Sequence, residues 1–551
     1  MDNARLILFV ALSVVVLLLW QAWQNDFGTR PPSQTPSAAA TGHAASPDAG
    51  HAPPAAAANV PVQGPQASPS AGPAALMRGE RVRVTTDLLE VEIDTAGGDL
   101  REAKMLRYPV AKDRPNEPFT LLNDDTPKIF VAQSGLLADT AAPDHHAHYT
   151  AADANYRLSA GTDELRVPLS WSENGISVTK TYVFHRGTYV VDVLFDVSNH
   201  SDKAWRGRQY RQLERARVGR ESRFVNTFTG VAVSSQENKY RKVSFDDMDK
   251  EPLGTEIKGG WVAMVQHYFL AAWVPRADQQ DFLYSKALGD GLYVAGLSSN
   301  EKIIPVGGKD QFSTRLYIGP KLQDHLAAVA PNLELTVDYG LLTFIAKPIF
   351  WLMKAIHGQV HNWGWTIILL TLIIKAAFYK LSEASYRSMA NMRRLQPKLT
   401  QLRERYGEDR QKMSQAMMEL YKKEKINPLG GCLPIVIQIP VFISLYWVLL
   451  ESVELRQAPF VLWINDLSTK DPYYVLPLIM GVSMFIQQRL SPAPPDPLQA
   501  RIMMVLPVVF TAFFAFFPSG LVLYWVTNNI LSISQQWYIT RRLENAAAAR
   551  G

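Results

Sequence analysis

Six apolar runs, most of them gathered at one end, constrain this chain more than its overall composition does. Residues 6–23 (LILFVALSVVVLLLWQAW) form the first, and others lie near 364–381, 432–450, 473–487, 502–517 and 520–539. Each approaches the roughly 20 residues that a helix needs to cross about 30 Å of hydrocarbon. Mean hydropathy is near zero, so the apolar residues are concentrated rather than abundant. The pattern predicts six spans, one N-terminal and five in a C-terminal block over 361–540. The first run ends in WQAWQN with no small-residue cleavage site, which predicts an uncleaved signal anchor over 1–27.

Orientation follows from the loops. Residues 380–425 carry twelve Lys/Arg against six Asp/Glu, which predicts a cytoplasmic loop. Counting spans outward, the N-terminus and the tail 541–551 are also cytoplasmic, and the long segment between the first two spans is exported. Cys432 is the only cysteine, so the exported segment carries no disulfide and must rely on a packed core.

Residues 28–79 are rich in Pro, Ala, Ser and Gly and read as a disordered tether. Beyond them the period changes to two. VRVTTDLLEVEID (82–94) alternates, and ISVTKTYVF (176–184) and YVVDVLFDVSN (189–199) flank the turn residues HRGT. These stretches predict an all-β sandwich domain over 80–335 with no sustained helix before 330. His145, His146 and His148 lie in PDHHAHY, a polar segment expected to be solvent-exposed rather than metal-binding. Over 336–360, Lys347 and Lys354, followed by His361, recur every seven residues among aromatic and aliphatic ones, which predicts an amphipathic helix in the membrane interface.

Inside the C-terminal block, polar residues interrupt the apolar runs. Lys375 sits about 15 Å into its span, and Thr371, Lys375 and Tyr379 fall at i, i+4 and i+8. Gln438 lies mid-span between Pro434 and Pro440, Thr511 lies in the fifth run, and Tyr524, Asn528, Ser532 and Gln535 share a face of the last. A lone amide would glue helices together; a lysine with several such groups reads as a wet groove. The fifth run is short, which favours a locally thinned bilayer.

Residues 381–427 carry a seam of Met392, Leu395, Leu399, Leu402 and Tyr406, continued by Met413, Met417 and Leu420. The spacing predicts a helical hairpin, with Pro397 kinking its first helix. Arg393, Arg394, Lys398, Arg403, Arg405, Lys422 and Lys423 make its surface basic. The sequence contains no P-loop, HExxH or GxSxG pattern. No reaction centre, no metal and no cofactor are expected, and the chain reads as a non-enzyme.

NPLGGCLPIVIQIPVF (427–442), ELRQAPFVLWINDLSTKDPYY (454–474) and FPSGLVLYWVTNN (517–529) resemble signature stretches of the YidC-type membrane protein insertases. VDYGLLTFIAKPIFWL and WVAMVQHYF extend the resemblance over essentially the whole chain. It implies a polytopic α-helical membrane protein of the bacterial inner membrane, with six transmembrane helices and a periplasmic β-supersandwich. It also implies insertion and folding of nascent inner-membrane proteins through a hydrophilic groove, alone or with the Sec translocon, without nucleotide. The implied groove cation is Lys375, and Thr371 and Trp525 match substrate-contact positions. The basic hairpin matches the loops that meet the ribosome and the signal-recognition receptor, and membrane lipids surround the rest. Two departures stand out. The family usually carries arginine where Lys375 stands, so the charge is kept without the planar five-donor fork. Lys380 stands where proline is common, which predicts a straighter exit from that helix. A secondary transporter with Lys375 as ion site is the rival reading, and the missing inverted repeat argues against it.

Overall fold

Alternation of buried and exposed side chains organises the first half of the computed structural model, which describes residues 76–217, 227–406, 409–424, 433–490 and 497–548. The expected signal anchor, most of the tether and Cys432 lie outside the described residues. The hairpin around HRGT forms as strands Ile176–His185 and Val190–Asn199, paired antiparallel with Val191 opposite Phe184. They belong to a sheet that runs, in order, through Arg241–Val243, Gly230–Ser234, Trp261–Val265, Phe269–Val274, Lys309–Pro320, Val190–Asn199, Ile176–His185, Glu164–Glu173 and Thr150–Ala151. A second sheet runs from Gly254–Lys258 through Gln280–Gly289, Leu292–Ser299, Trp205–Ala216, Phe130–Ala138, Asp99–Ala111, Leu89–Asp94 and Arg81–Thr85 to Asn155–Arg157. Trp205, Trp261, Trp273, Tyr182 and Tyr317 are fully buried in the shared core. Large aromatic rings supply much of the burial that a domain without disulfides requires.

Charges also cross this core. Lys180, fully buried, donates to the Ser134 carbonyl (2.7 Å) and the Gly97 carbonyl (3.2 Å) and lies 3.7 Å from Asp99 on the facing sheet. Burial pushes the Asp99 carboxyl up and the Lys180 amine down, and each charge draws the other back. The AGGDL turn makes room for this arrangement. Gly98 has φ 58°, and a Cβ there would meet Lys180 Cδ at 3.2 Å.

His145 is a correction to the sequence reading. It is buried, its backbone N–H donates to the Tyr210 hydroxyl (2.7 Å), and its Nδ1 lies 2.5 Å from the same oxygen. The loop folds back over strand Trp205–Ala216, a long-range contact that local polarity does not encode. No group of residues fit to hold a metal occurs among the described residues.

Helices are labelled in chain order: α1 Phe245–Lys250, α2 Gln323–Val329, α3 Thr343–Val360, α4 Trp363–Ala377, α5 Tyr379–Arg394, α6 Gln396–Tyr406, α7 Arg410–Lys423, α8 Leu433–Glu451, α9 Val475–Leu490, α10 Pro497–Phe514 and α11 Ser519–Ala548. Short α1 and α2 interrupt a region expected to be free of helix; Ser244 and Asp247 close a capping box on α1. α3 buries Ala346, Ile349, Phe350 and Met353 and leaves Phe344 and Trp351 exposed, so it is amphipathic. α11 continues through Arg541 and Arg542 to Ala548, where the sequence predicts a tail.

The exit of α4 is a second correction. The helix does not run straight through Lys380: it ends at Phe378 (φ −91°, ψ 11°), and α5 leaves at a 68° bend. No single described helix is long and apolar enough to cross a membrane; α4 and α5 qualify only as a bent pair. Pro397 lies in the first turn of α6 rather than kinking a longer helix, because proline is tolerated there and the chain already breaks at Leu395. Asp409 caps α7 by accepting from Gln411 and Lys412 backbone N–H groups.

The β domain is fastened to the helical region by polar contacts. Lys321 Nζ lies 2.7 Å from Glu451 Oε2 at the end of α8, both buried. Arg456 donates to the Pro109 carbonyl (2.8 Å), and His267 Nε2 lies 2.9 Å from the Leu450 carbonyl.

Burial, reinforced by the charges of His146, Arg101 and Lys180, lowers the His145 pKa from 6.5 to about 3. The fold therefore holds the ring neutral while the unfolded chain protonates it. This contribution to stability is complete above pH 6.5 and is lost as pH falls toward 3, at about 1.4 kcal/mol per pH unit. Hydrogen-exchange protection of Trp205–Ala216 in the full chain, followed from pH 7 to 4, is expected to fall less steeply in His145→Gln by about one proton's worth.

Candidate functional site

Three helices meet around the lysine of α4. Lys375 Nζ donates to Ser532 Oγ of α11 (2.8 Å), and the Ser532 hydroxyl donates its own hydrogen bond to the Asn528 carbonyl one turn back (2.7 Å). Gln438 Nε2 of α8 donates to Asn528 Oδ1 (2.7 Å). A hydroxyl has one hydrogen, so these bonds have a fixed direction, with Lys375 as donor to the serine. An ammonium carries three donors. Lys375 is half-buried, and among the described residues no carboxylate pairs with it. The arrangement is a cation held in a partly apolar bundle by neutral oxygens. It can attract an anionic group without first breaking an ion pair.

The other sequence-predicted residues divide. Thr371 lies one turn from Lys375, buried, with its hydroxyl bonded to the Ile367 carbonyl of its own helix (2.6 Å). Tyr524 is buried and stacks on Phe442 at 5.9 Å, and Trp525 packs edge-on against Phe442 (4.8 Å) and Phe514 (5.5 Å). Tyr379 belongs to α5 beyond the bend, so the Thr371–Lys375–Tyr379 stripe is not one helix face. Thr511 is not brought to Lys375 at all. Its hydroxyl bonds the Pro507 carbonyl (2.7 Å), and it sits where a Cβ on Gly481 would fall 2.0 Å from its Oγ1. Thr511 is a packing residue between α9 and α10. Gln535 is half-buried.

On the hairpin, Arg393, Arg394, Lys398, Arg405, Lys422 and Lys423 are exposed, and Arg403 lies in α6. Lys398 bonds Glu424 at 2.6 Å and joins the two hairpin helices. Arg405 stacks on its neighbour Tyr406.

Several polar positions escaped the sequence reading. Asn529 Nδ2 donates to Ser483 Oγ (3.0 Å) and joins α11 to α9, and Gln536 Nε2 donates to the Leu490 carbonyl (3.0 Å). Tyr386 of α5 reaches Ser532 from the far side of the bend. Asn529 and Gln536 follow Trp525 at spacings of four and eleven, a helix-face signal that was available. Tyr386 depends on the bend and had no signal.

The family described as "YidC periplasmic domain" matches residues 81–352, and the family described as "60Kd inner membrane protein" matches residues 355–546. "Membrane protein insertase YidC" of Methylococcus capsulatus is 54% identical over the full length of both chains. The chain belongs to the YidC family. The Nitrosococcus oceani YidC is 52% identical and covers 99% of each chain. A solved YidC insertase with its first transmembrane domain resolved covers 85% of this chain and 95% of its own at 19% identity and a TM-score of 0.40, too distant to equate the two folds in detail.

The reassignment of Thr511 is testable. Gly481→Leu is expected to lower the stability of the purified protein by about 1–3 kcal/mol, the usual cost of overpacking. Thr511→Ala in the same chain is expected to recover part of it, while Thr511→Ala alone changes little. A thermal melt in detergent reads all three.

Proposed function

We propose that this chain is a membrane protein insertase that uses Lys375 as a transient docking charge for acidic segments of its clients. The carrying observation is the half-buried cation of α4, bonded to Ser532 and paired with no carboxylate among the described residues. An ion pair buried in hydrocarbon would hold a client tightly; a hydrated one is weak and reversible. Membership of a family whose members are named insertases supports the reading, and insertion is a non-enzymatic activity.

In this reading the protein is a polytopic inner-membrane protein. Span 1–27 and helices α4–α5, α8, α9, α10 and α11 supply six crossings. The tether 28–79 and β domain 80–335 are periplasmic, 336–360 lies in the interface, 361–540 is the insertase core with its hairpin 381–427, and both termini, with 541–551, are cytoplasmic. The broad apolar faces of the bundle support it: Leu372, Leu478, Val482, Met504 and Val508 are 48–69% exposed, which in water would be an aggregation liability. Helix α10, which holds the fifth apolar run, has 18 residues and is about 27 Å long, short of the roughly 30 Å of hydrocarbon and in keeping with a locally thinned bilayer. Thr371, Tyr379, Gln438, Tyr524, Trp525, Asn528 and Ser532 line or frame the groove, and Thr511 packs between α9 and α10. The hairpin cations meet the ribosome, the signal-recognition receptor and nascent chains, and the Sec translocon is a further partner.

Liposomes holding only the purified chain, challenged with a single-span client bearing an acidic translocated tail, test this. Wild type and Lys375→Arg are expected to protect the tail from protease, and Lys375→Ala to lose most protection. Equal protection by all three removes the docking role from Lys375, and no protection above empty liposomes removes autonomous insertion.

A further inference from the structure

A second cationic feature lies at the far end of the bundle from the β domain. A cleft of about 300 Å³ opens where the end of α5, the end of α9 and the late turns of α11 converge, lined by Arg393, Leu490, Gln536, Trp537, Thr540 and Arg541. Two guanidinium groups from different helices face it, and no acidic residue lines it among the described residues. Among the described residues neither arginine is ion-paired. The Arg541 guanidinium lies 5.2 Å from the Trp537 ring centroid, which holds it over the indole rather than free in solvent. The Gln536 amide occupies the Leu490 carbonyl at the C-terminus of α9, so that the negative end of that helix is covered next to the cleft. Arg489 extends the positive field from the adjacent position, stacked on Phe485 at 5.0 Å.

We infer that this cleft binds the phosphate of an anionic phospholipid of the cytoplasmic leaflet. Trp537 and Tyr538, each 54% exposed, stand beside it, and the apolar Phe485, Ile486 and Ile530 are exposed on the same helices further into the bundle. A ligand with a phosphate at one end and acyl chains at the other fits that sequence of surfaces; a soluble anion uses only the first. Basic pockets between helices at the cytoplasmic face, flanked by interfacial aromatic rings, are the chemistry that anionic headgroups select. The site shares only Arg393 with the hairpin surface; Leu490 belongs to α9, and Gln536, Trp537, Thr540 and Arg541 belong to α11. It rests on the proposed reading in one respect, that this end of the bundle faces the cytoplasmic leaflet, and its test does not require insertion to work.

The test uses the full purified chain in detergent, supplied with equal phosphatidylglycerol and phosphatidylcholine, and counts retained lipid by native mass spectrometry. Wild type is expected to retain phosphatidylglycerol selectively. Arg393→Gln/Arg541→Gln is expected to lower that retention about thirtyfold, as two surface cations are removed; Arg393→Lys/Arg541→Lys keeps most of it, and Lys375→Ala leaves it unchanged. Millimolar inorganic phosphate is expected not to displace the lipid. A photoactivatable phosphatidylglycerol on the unaltered chain gives an answer that does not depend on the variants folding, and its label is expected within 536–541 or at Arg393. Equal retention of the two lipids, an unaffected glutamine double variant, or labelling confined to hairpin residues beyond Arg394 overturns the proposal. Displacement by inorganic phosphate reassigns the cleft to free anions, displacement by a ribosomal RNA fragment reassigns it to nucleic acid, and either result also overturns it.

Discussion

An ammonium group inside an apolar bundle has to be solvated, and the geometry around Lys375 follows from that need. Ser532 supplies an oxygen, and its own hydroxyl hydrogen is committed to the Asn528 carbonyl. Asn528 is held in turn by Gln438. Two donor paths, from Lys375 through Ser532 and from Gln438, thus converge on Asn528 and tie α4, α11 and α8 together without using a carboxylate. A buried Asp or Glu beside Lys375 would offset more of the desolvation cost, but it would also occupy the charge. The neutral chain keeps the cation available. The bend at Phe378 then turns α5 away at 68° and brings Tyr386 back toward Ser532.

The same logic is reversed in the β domain and at its junction with the helices. There charges are buried as pairs. Lys180 meets Asp99 between the sheets, Arg211 meets Asp281 at 2.7 Å, and Lys321 meets Glu451. Removing one member of such a pair leaves the other charge uncompensated, at a cost of about 3–5 kcal/mol. These pairs therefore specify how strands and domains fit. The cations at the cleft between α5, α9 and α11, Arg393 and Arg541, resemble Lys375 in having no ion pair among the described residues.

Much of this was legible in the residues themselves. Period-two alternation marked the hairpin of Ile176–His185 and Val190–Asn199, and apolar runs marked α8, α9 and α11, because those signals are local. Lys375, Gln438, Asn528 and Ser532 stood out as polar residues in apolar company, and the fold does unite them. The failures share a cause. The burial of His145 depends on Tyr210, distant in sequence, and the packing role of Thr511 depends on Gly481 in the preceding helix. Lys380 replaces a proline, yet the helix breaks at Phe378, so the break does not require proline. The Lys321–Glu451 contact joins two domains and left only a weak trace, an acidic residue at the end of an apolar run.

The central claim is that the charge of Lys375, rather than its packing, receives the client. A charge exchange tests this most directly. In proteoliposomes, wild type and Lys375→Glu are each challenged with two clients that differ only in a translocated tail carrying acidic or lysine residues. The expected result is a reversal, with the acidic tail protected by wild type and the lysine tail by Lys375→Glu. The same tail preference in both chains would contradict the account, because the choice of client would then be made elsewhere in the molecule.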